Sequence, residues 1–162
     1  MQDKIDAILR TVASTASDLY LDRVNPNASL ITEIFQLDAT QLSEVDDHRL
    51  SQYILVMGQY LVMLQYQENL KNIQYTLSQK AFDIAYSKER FVREDIKTKT
   101  DKATKDFLLS TSEYLLVLDA MVLEASAEKM LLNNMVGACS ELLNALKKEK
   151  SGRDGGRYGQ SY

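Results

Sequence analysis

The sequence predicts an all-α fold: a long antiparallel, coiled-coil-like helical hairpin preceded by short N-terminal helices. Three observations carry that expectation. Residues 59 to 136 contain neither Gly nor Pro, whereas a β-rich fold needs a turn about every 8–12 residues. Two stretches of similar length repeat apolar residues at spacings of three and four. A short polar link, Lys97-Thr98-Lys99-Thr100-Asp101, separates them. With 162 residues, 45% of them apolar and 26% charged, the chain has the makings of one ordinary core and is neither a disordered nor a membrane composition.

Residues 4–20 place Ile5, Ile8, Leu9, Val12, Ala16 and Leu19 at helical spacing. Residues 21–46 read as a connector with apolar anchors. Asn25-Pro26-Asn27 is a turn signal, and Ser29 is positioned to cap a short helix carrying Leu30, Ile34 and Phe35. Asp38 with Gln41 three residues on forms a capping-box pattern. Ser43 and Asp46 announce the first long helix, expected over 46–96. Its seam runs Leu50, Ile54, Met57, Leu61, Leu64, slips in phase near Tyr66, and resumes as Leu70, Ile73, Leu77, Ala81 and Ile84. The second long helix, expected over 101–149, keeps a strict seam: Leu108, Thr111, Leu115, Leu118, Val122, Ala125, Lys129, Leu132, Val136, Cys139, Leu143 and Leu146. Lys147, Lys148 and Lys150, then Gly152, make a fitting helix end. Residues 1–150 thus form one helical domain, with 1–45 as its N-terminal part. The Gly/Arg/Tyr tail, 151–162, has no aliphatic residue and is expected to be disordered.

A link centred near 97–98 pairs residue i with roughly residue 195 − i in an antiparallel hairpin. That register sets Gly58 opposite Gly137, a close approach of two helices. Each helix, at about 50 residues, would be about 75 Å long. Two such helices leave apolar faces unburied: Leu55, Val56, Val62 and Met63 on one, Leu116, Met121, Leu123, Met130, Leu131 and Met135 on the other. Stripes this wide ask for covering helices or for other copies of the chain, so a homo-oligomer is expected.

The net charge of −4 is segregated. Residues 1–70 hold four basic and ten acidic side chains, 71–110 nine and six, 111–146 one and five, and 147–162 five and two. A protein that coats duplex DNA is normally basic throughout; this chain has two basic zones on an acidic body. The first six residues lack the apolar stretch of a signal peptide. The most apolar run, Tyr53 to Tyr66, falls short of the about 18–20 residues of a membrane span. No membrane partner and a cytoplasmic location are expected.

Catalytic signatures are not found. A single Cys and a single His exclude Cys-rich zinc and multi-His sites. By the pairing rule His48 and Cys139 lie about 12 Å apart, too far for a nucleophile–base pair. Neither GxxxxGK[ST] nor GxGxxG occurs. The expectation is a protein that is not an enzyme and uses no metal or cofactor.

The predicted hairpin tip is the informative zone. It carries Lys88, Arg90, Arg93, Lys97, Lys99, Lys102 and Lys105, with Tyr86 and Phe91 interleaved. Cations that track phosphates beside rings that stack on bases suit single-stranded nucleic acid. The competing reading is a solvated tip laced with ion pairs, Glu89–Arg93 and Asp101–Lys105. In the tail, Arg153 and Arg157 among glycines and tyrosines have the composition of strand-contacting tails.

The helix YLVMLQYQENLKNIQYTLSQKAFDIAYSKERF, a basic link, and TSEYLLVLDAMVLEASAEKMLLNNMVGACSELLNALKKEK together resemble the small recombination mediators of tailed phages, the UvsY-like group, over roughly residues 48–150. The resemblance implies a ring-forming homo-oligomer that binds single-stranded DNA, helps displace single-strand-binding protein and loads a RecA-like recombinase. It implies no enzymatic activity, and for a phage protein the cytoplasm is that of the infected bacterium. The alternative is a helical adaptor or assembly protein that works through protein–protein contacts without nucleic-acid binding.

Overall fold

The computed structural model describes residues 2–18, 26–93 and 100–158, and every element in them is an α-helix. In chain order these are α1 (Gln2–Asp18), α2 (Ala28–Gln36), α3 (Ala39–Glu44), α4 (Asp47–Val92), α5 (Asp101–Thr111) and α6 (Glu113–Tyr158). The long helices α4 and α6, 46 residues each, pack closely as a helical hairpin, as the paired apolar repeats predict. No helix among the described residues is long and apolar enough to cross a membrane. The chain divides into two compact units, Met1–Ser14 with Asn69–Leu131 and Thr15–Glu68 with Leu132–Tyr162.

In the second unit, capping side chains define each helix start. Asn27 Oδ1 accepts from the amides of Ser29 and Leu30 at 3.1 and 3.3 Å, so α2 begins on Asn27 rather than on Ser29. The capping box of α3 forms: Asp38 Oδ1 accepts from Gln41 N at 2.8 Å, and Gln41 Oε1 accepts from Asp38 N at 3.0 Å. Asp46 Oδ1 accepts from the amides of His48 and Arg49, each at 2.9 Å, and starts α4. Those two amide bonds hold the Asp46 carboxyl below its ordinary range. The core sets Ile34, Leu50, Tyr53, Met57 and Leu64 against Cys139, Leu143 and Leu146. Glu33 on α2 accepts from the Tyr53 hydroxyl and the Arg49 guanidinium, tying α2 to α4.

The end of α6 departs from the expected tail. Helix continues through Tyr158 instead of stopping near 149. Arg153 explains why. Its Nη2 donates to the carbonyls of Leu42 and Ser43 at 2.9 and 3.1 Å, and its Nη1 donates to the carbonyl of Val45 and to Asp47 Oδ1. Its Nε donates to Glu149 Oε1, one turn back, at 2.8 Å. The last carbonyls of α3 have no partner within their own helix, and the guanidinium supplies one. That contact offsets the three glycines this end of the helix must carry, Gly152, Gly155 and Gly156.

In the first unit, Leu9 of α1 packs on a cluster of Ala81, Phe82, Ala85, Leu108, Leu115 and Leu118. The expected single helix over 101–149 is two. Ser112 has extended backbone, with φ −123° and ψ 102°. Its amide closes α5 on Leu108 O at 2.9 Å, and its hydroxyl accepts from Leu115 N at 3.4 Å to open α6.

The seam of α4 does not slip near Tyr66. Positions 50, 57, 64, 78 and 85 are all buried, a strict heptad, and Lys71 occupies the place between. Lys71 Nζ donates to Glu128 Oε2 at 2.6 Å and to Gln74 Oε1 at 3.2 Å. Polar residues in the seam mimic a phase change, and Ile84, expected inside, is half exposed. Lys129, the charged member of the partner seam, sits 4.8 Å from the Tyr75 ring centroid.

The register also differs from the pairing rule. Lys71 meets Glu128, one turn beyond the Glu124 that the rule gives. In the second unit Gly58 and Gly137 do not make a close approach: a Cβ built at either would have nothing within 4 Å among the described residues. Of the apolar side chains expected outside, Val56 is buried, while Met63 and Met121 pack against the two clusters. Some expectations lie outside the described residues: residues 94–96 of the first long helix, Lys97, Lys99, Leu19, the turn at Asn25, residues 159–162, and the side chains of Ile5, Ala16 and Arg157.

Candidate nucleic-acid interface

The last turns of α4 and the first turns of α5, both in the first unit, carry the basic zone. α5 begins at Thr100, whose hydroxyl accepts from Ala103 N at 3.4 Å. Arg90 Nη2 reaches Asp101 Oδ1 at 2.9 Å and so bridges the two helices. The two side chains are 49% and 84% exposed. An ion pair this wet contributes under about 1 kcal/mol, so a phosphate oxygen can take the place of the Asp101 carboxylate at small cost.

The other cations divide into two kinds. Arg93 and Lys105 are engaged. Arg93 Nε lies 3.9 Å from Glu89 Oε2, the expected i,i+4 pair, and its guanidinium stands 5.6 Å from the Phe107 ring centroid. Lys105 turns away from the expected Asp101 and pairs with Asp119 Oδ1 at 3.0 Å, 5.1 Å from the Phe82 ring centroid. Lys88 and Lys102 are exposed and have no ion pair among the described residues.

Aromatic residues divide in the same way. Tyr86 stacks on Phe82, centroids 5.9 Å apart, and belongs to the core. Phe91 is 88% exposed and Val92 beside it is exposed as well. An almost fully solvated ring that follows Lys88 and Arg90 in sequence has the chemistry of a base-stacking platform: an apolar face that gains by being covered, near charges that hold phosphates. Of the residues singled out from the sequence, Lys88, Arg90, Phe91, Arg93, Lys102 and Lys105 therefore share this end of the first unit. Arg153 does not: its donors are spent on α3 and the start of α4, in the second unit. Phe82 and Phe107 were missed as cation partners, because a cation–π contact between α4 and α5 has no local sequence signal.

A second surface lies on α6. Leu116, Ala120, Leu123, Ala127 and Met130 alternate spacings of four and three on a face away from the buried seam, and all are exposed. The three large members are 54, 64 and 63% exposed. This outer seam has the period of a helix–helix contact.

His48 and Cys139 do not form a reactive pair. Cys139 is buried in the second unit's core, and burial pushes its thiol above the ordinary range, away from the nucleophilic thiolate. His48 Nε2 lies 3.1 Å from Gln52 Nε2, one turn along. Among the described residues no group of three or more His, Cys, Asp and Glu is placed to hold a metal ion. Comparison with protein families, with curated proteins and with solved structures finds no match to the chain.

Proposed function

We propose that the protein binds single-stranded DNA through the α4–α5 end and acts as a recombination mediator, without catalysis of its own. In this reading it helps a RecA-like recombinase replace single-strand-binding protein on the strand. The observation that carries the reading is Phe91, 88% exposed and preceded in sequence by Lys88 and Arg90. An exposed Phe at a charged helix end is an unfavourable solvent contact that a stacked base would relieve. The resemblance in helical architecture to the UvsY-like mediators supports the recombination context. The outer seam of α6 supports a homo-oligomer, in which several basic ends hold one strand at high effective concentration. The mechanism is physical: a multivalent grip organises the strand, and a coating protein loses contacts to it.

Anisotropy of a labelled oligothymidine, titrated with protein across a salt series, tests the reading. Affinity should fall steeply with salt, with a log–log slope of about −0.7 for each phosphate contacted. Absence of binding at low salt, or binding indifferent to salt, contradicts it.

The outer seam also favours a second reading, a helical adaptor that docks a protein along Leu116, Leu123 and Met130. An adaptor binds no oligothymidine, so the same titration separates the two.

A further inference from the structure

Gly58 opens a groove in the second unit. The groove has a volume of about 430 Å³ and runs between Ile54, Leu55 and Val62 of α4 and Leu143 of α6, with Gln59 and Lys147 as its polar lining. Leu55 and Val62 are 63 and 41% exposed in it. Among the described residues nothing stands within 4 Å of where a Gly58 Cβ would be, so no described neighbour requires glycine there. Glycine inside a helix is nevertheless unfavourable by about 1 kcal/mol relative to alanine. What glycine leaves at this point is room for an apolar group from outside. The one charged side chain of its lining is basic. Lys147 lines the groove, and Lys147 and Lys148 are exposed, with no ion pair among the described residues.

We propose that this groove docks an acidic peptide of a partner protein, with one large apolar side chain seated over Gly58 and the neighbouring carboxylates paired with Lys147 and Lys148. Apolar contact supplies the affinity, and the lysines select an acidic segment and raise its rate of encounter. This surface is separate from the basic end around Phe91 and does not depend on the DNA-binding reading.

The test is a fluorescence anisotropy titration of the full chain with a labelled peptide, Asp-Glu-Asp-Glu-Leu-Phe, at low salt. Saturable binding is expected, and a peptide ending in Leu-Ser should bind about tenfold more weakly. Gly58→Leu fills the groove while improving helix propensity, and Lys147→Glu reverses the local charge; each should weaken binding about tenfold. Gly137→Ala, the same kind of change outside the groove, should leave binding as it is. Helicity by circular dichroism and oligothymidine binding should match wild type in all three variants, which separates this result from the DNA reading. No saturable binding, or binding that Gly58→Leu leaves unchanged, overturns the proposal.

Discussion

Lys71 on α4 donates to Glu128 on α6 at 2.6 Å, at a seam position where a helix pair ordinarily places an aliphatic residue. The pair joins the two long helices in one register. It is partly exposed, so its net contribution is modest, under about 1 kcal/mol. Its larger role is to disfavour a shift of one helix along the other, which would strand a charge against apolar neighbours.

Reversing the pair tests that role. Lys71→Glu alone and Glu128→Lys alone should each lower the urea midpoint, and the double reversal should recover part of the loss. The expected coupling is about 0.5–1 kcal/mol in a double-mutant cycle. Zero coupling would show that the contact does not contribute to the register.

Ser78 and Thr104 are buried, and their hydroxyls have no hydrogen-bond partner among the described residues. A buried hydroxyl left unpaired is unfavourable, so its removal with little change of shape should stabilise. Ser78→Ala and Thr104→Val are each expected to raise unfolding free energy by about 0.5–1 kcal/mol. Denaturant titration reads this directly, and a clear destabilisation by both would contradict the packing described here.

Gly137→Ala discriminates between two registers. A close glycine–glycine crossing would be forced apart by a methyl group. The open surroundings found at Gly137 instead predict a gain, up to about 1 kcal/mol, from helix propensity alone.

Acid should loosen the second unit. The Glu33 carboxyl is held below its ordinary value of 4.5, first by the Tyr53 hydroxyl and then by Arg49, and Asp46 below its ordinary 3.8 by amide bonds from Arg49 and His48. A carboxyl whose pKa is lower folded than unfolded contributes stability above the unfolded value, and loses it as pH falls through the folded value. Stability should therefore decline below pH 4.5 and continue to fall below 3.8. Glu33→Gln should flatten the upper part of that decline, as thermal melts across the acid range will show.

The parts of this fold that were legible from sequence are those written in local chemistry. The strict seam of α6 names its buried residues Leu115, Leu118, Ala125, Cys139, Leu143 and Leu146 in advance. The capping box of Asp38 and Gln41 needs only four consecutive residues. What stayed hidden depends on contacts distant in the chain. Lys71 and Ser78 occupy seam positions that an apolar count skips, so an unbroken heptad looked like a phase slip. Ser112 breaks a helix without interrupting the apolar period. Arg153, read as a strand-binding residue on a loose tail, is tied down by carbonyls more than 100 residues earlier. At the candidate site, residue types near the tip were readable. The division into engaged cations, Arg93 and Lys105, and ones with no ion pair among the described residues, Lys88 and Lys102, was set by partners across α4, α5 and α6.

The central claim is that the α4–α5 end holds single-stranded DNA by stacking and charge together. Its most direct test compares oligothymidine affinity of the wild type with that of Phe91→Ala and of the Lys88→Ala/Lys102→Ala pair. Loss of one stacked base should weaken binding about tenfold or more for Phe91→Ala. Loss of two phosphate contacts should make the salt slope shallower by about 1.4 in the lysine pair. Affinity and slope equal to wild type in both variants, with helicity intact, would contradict the account.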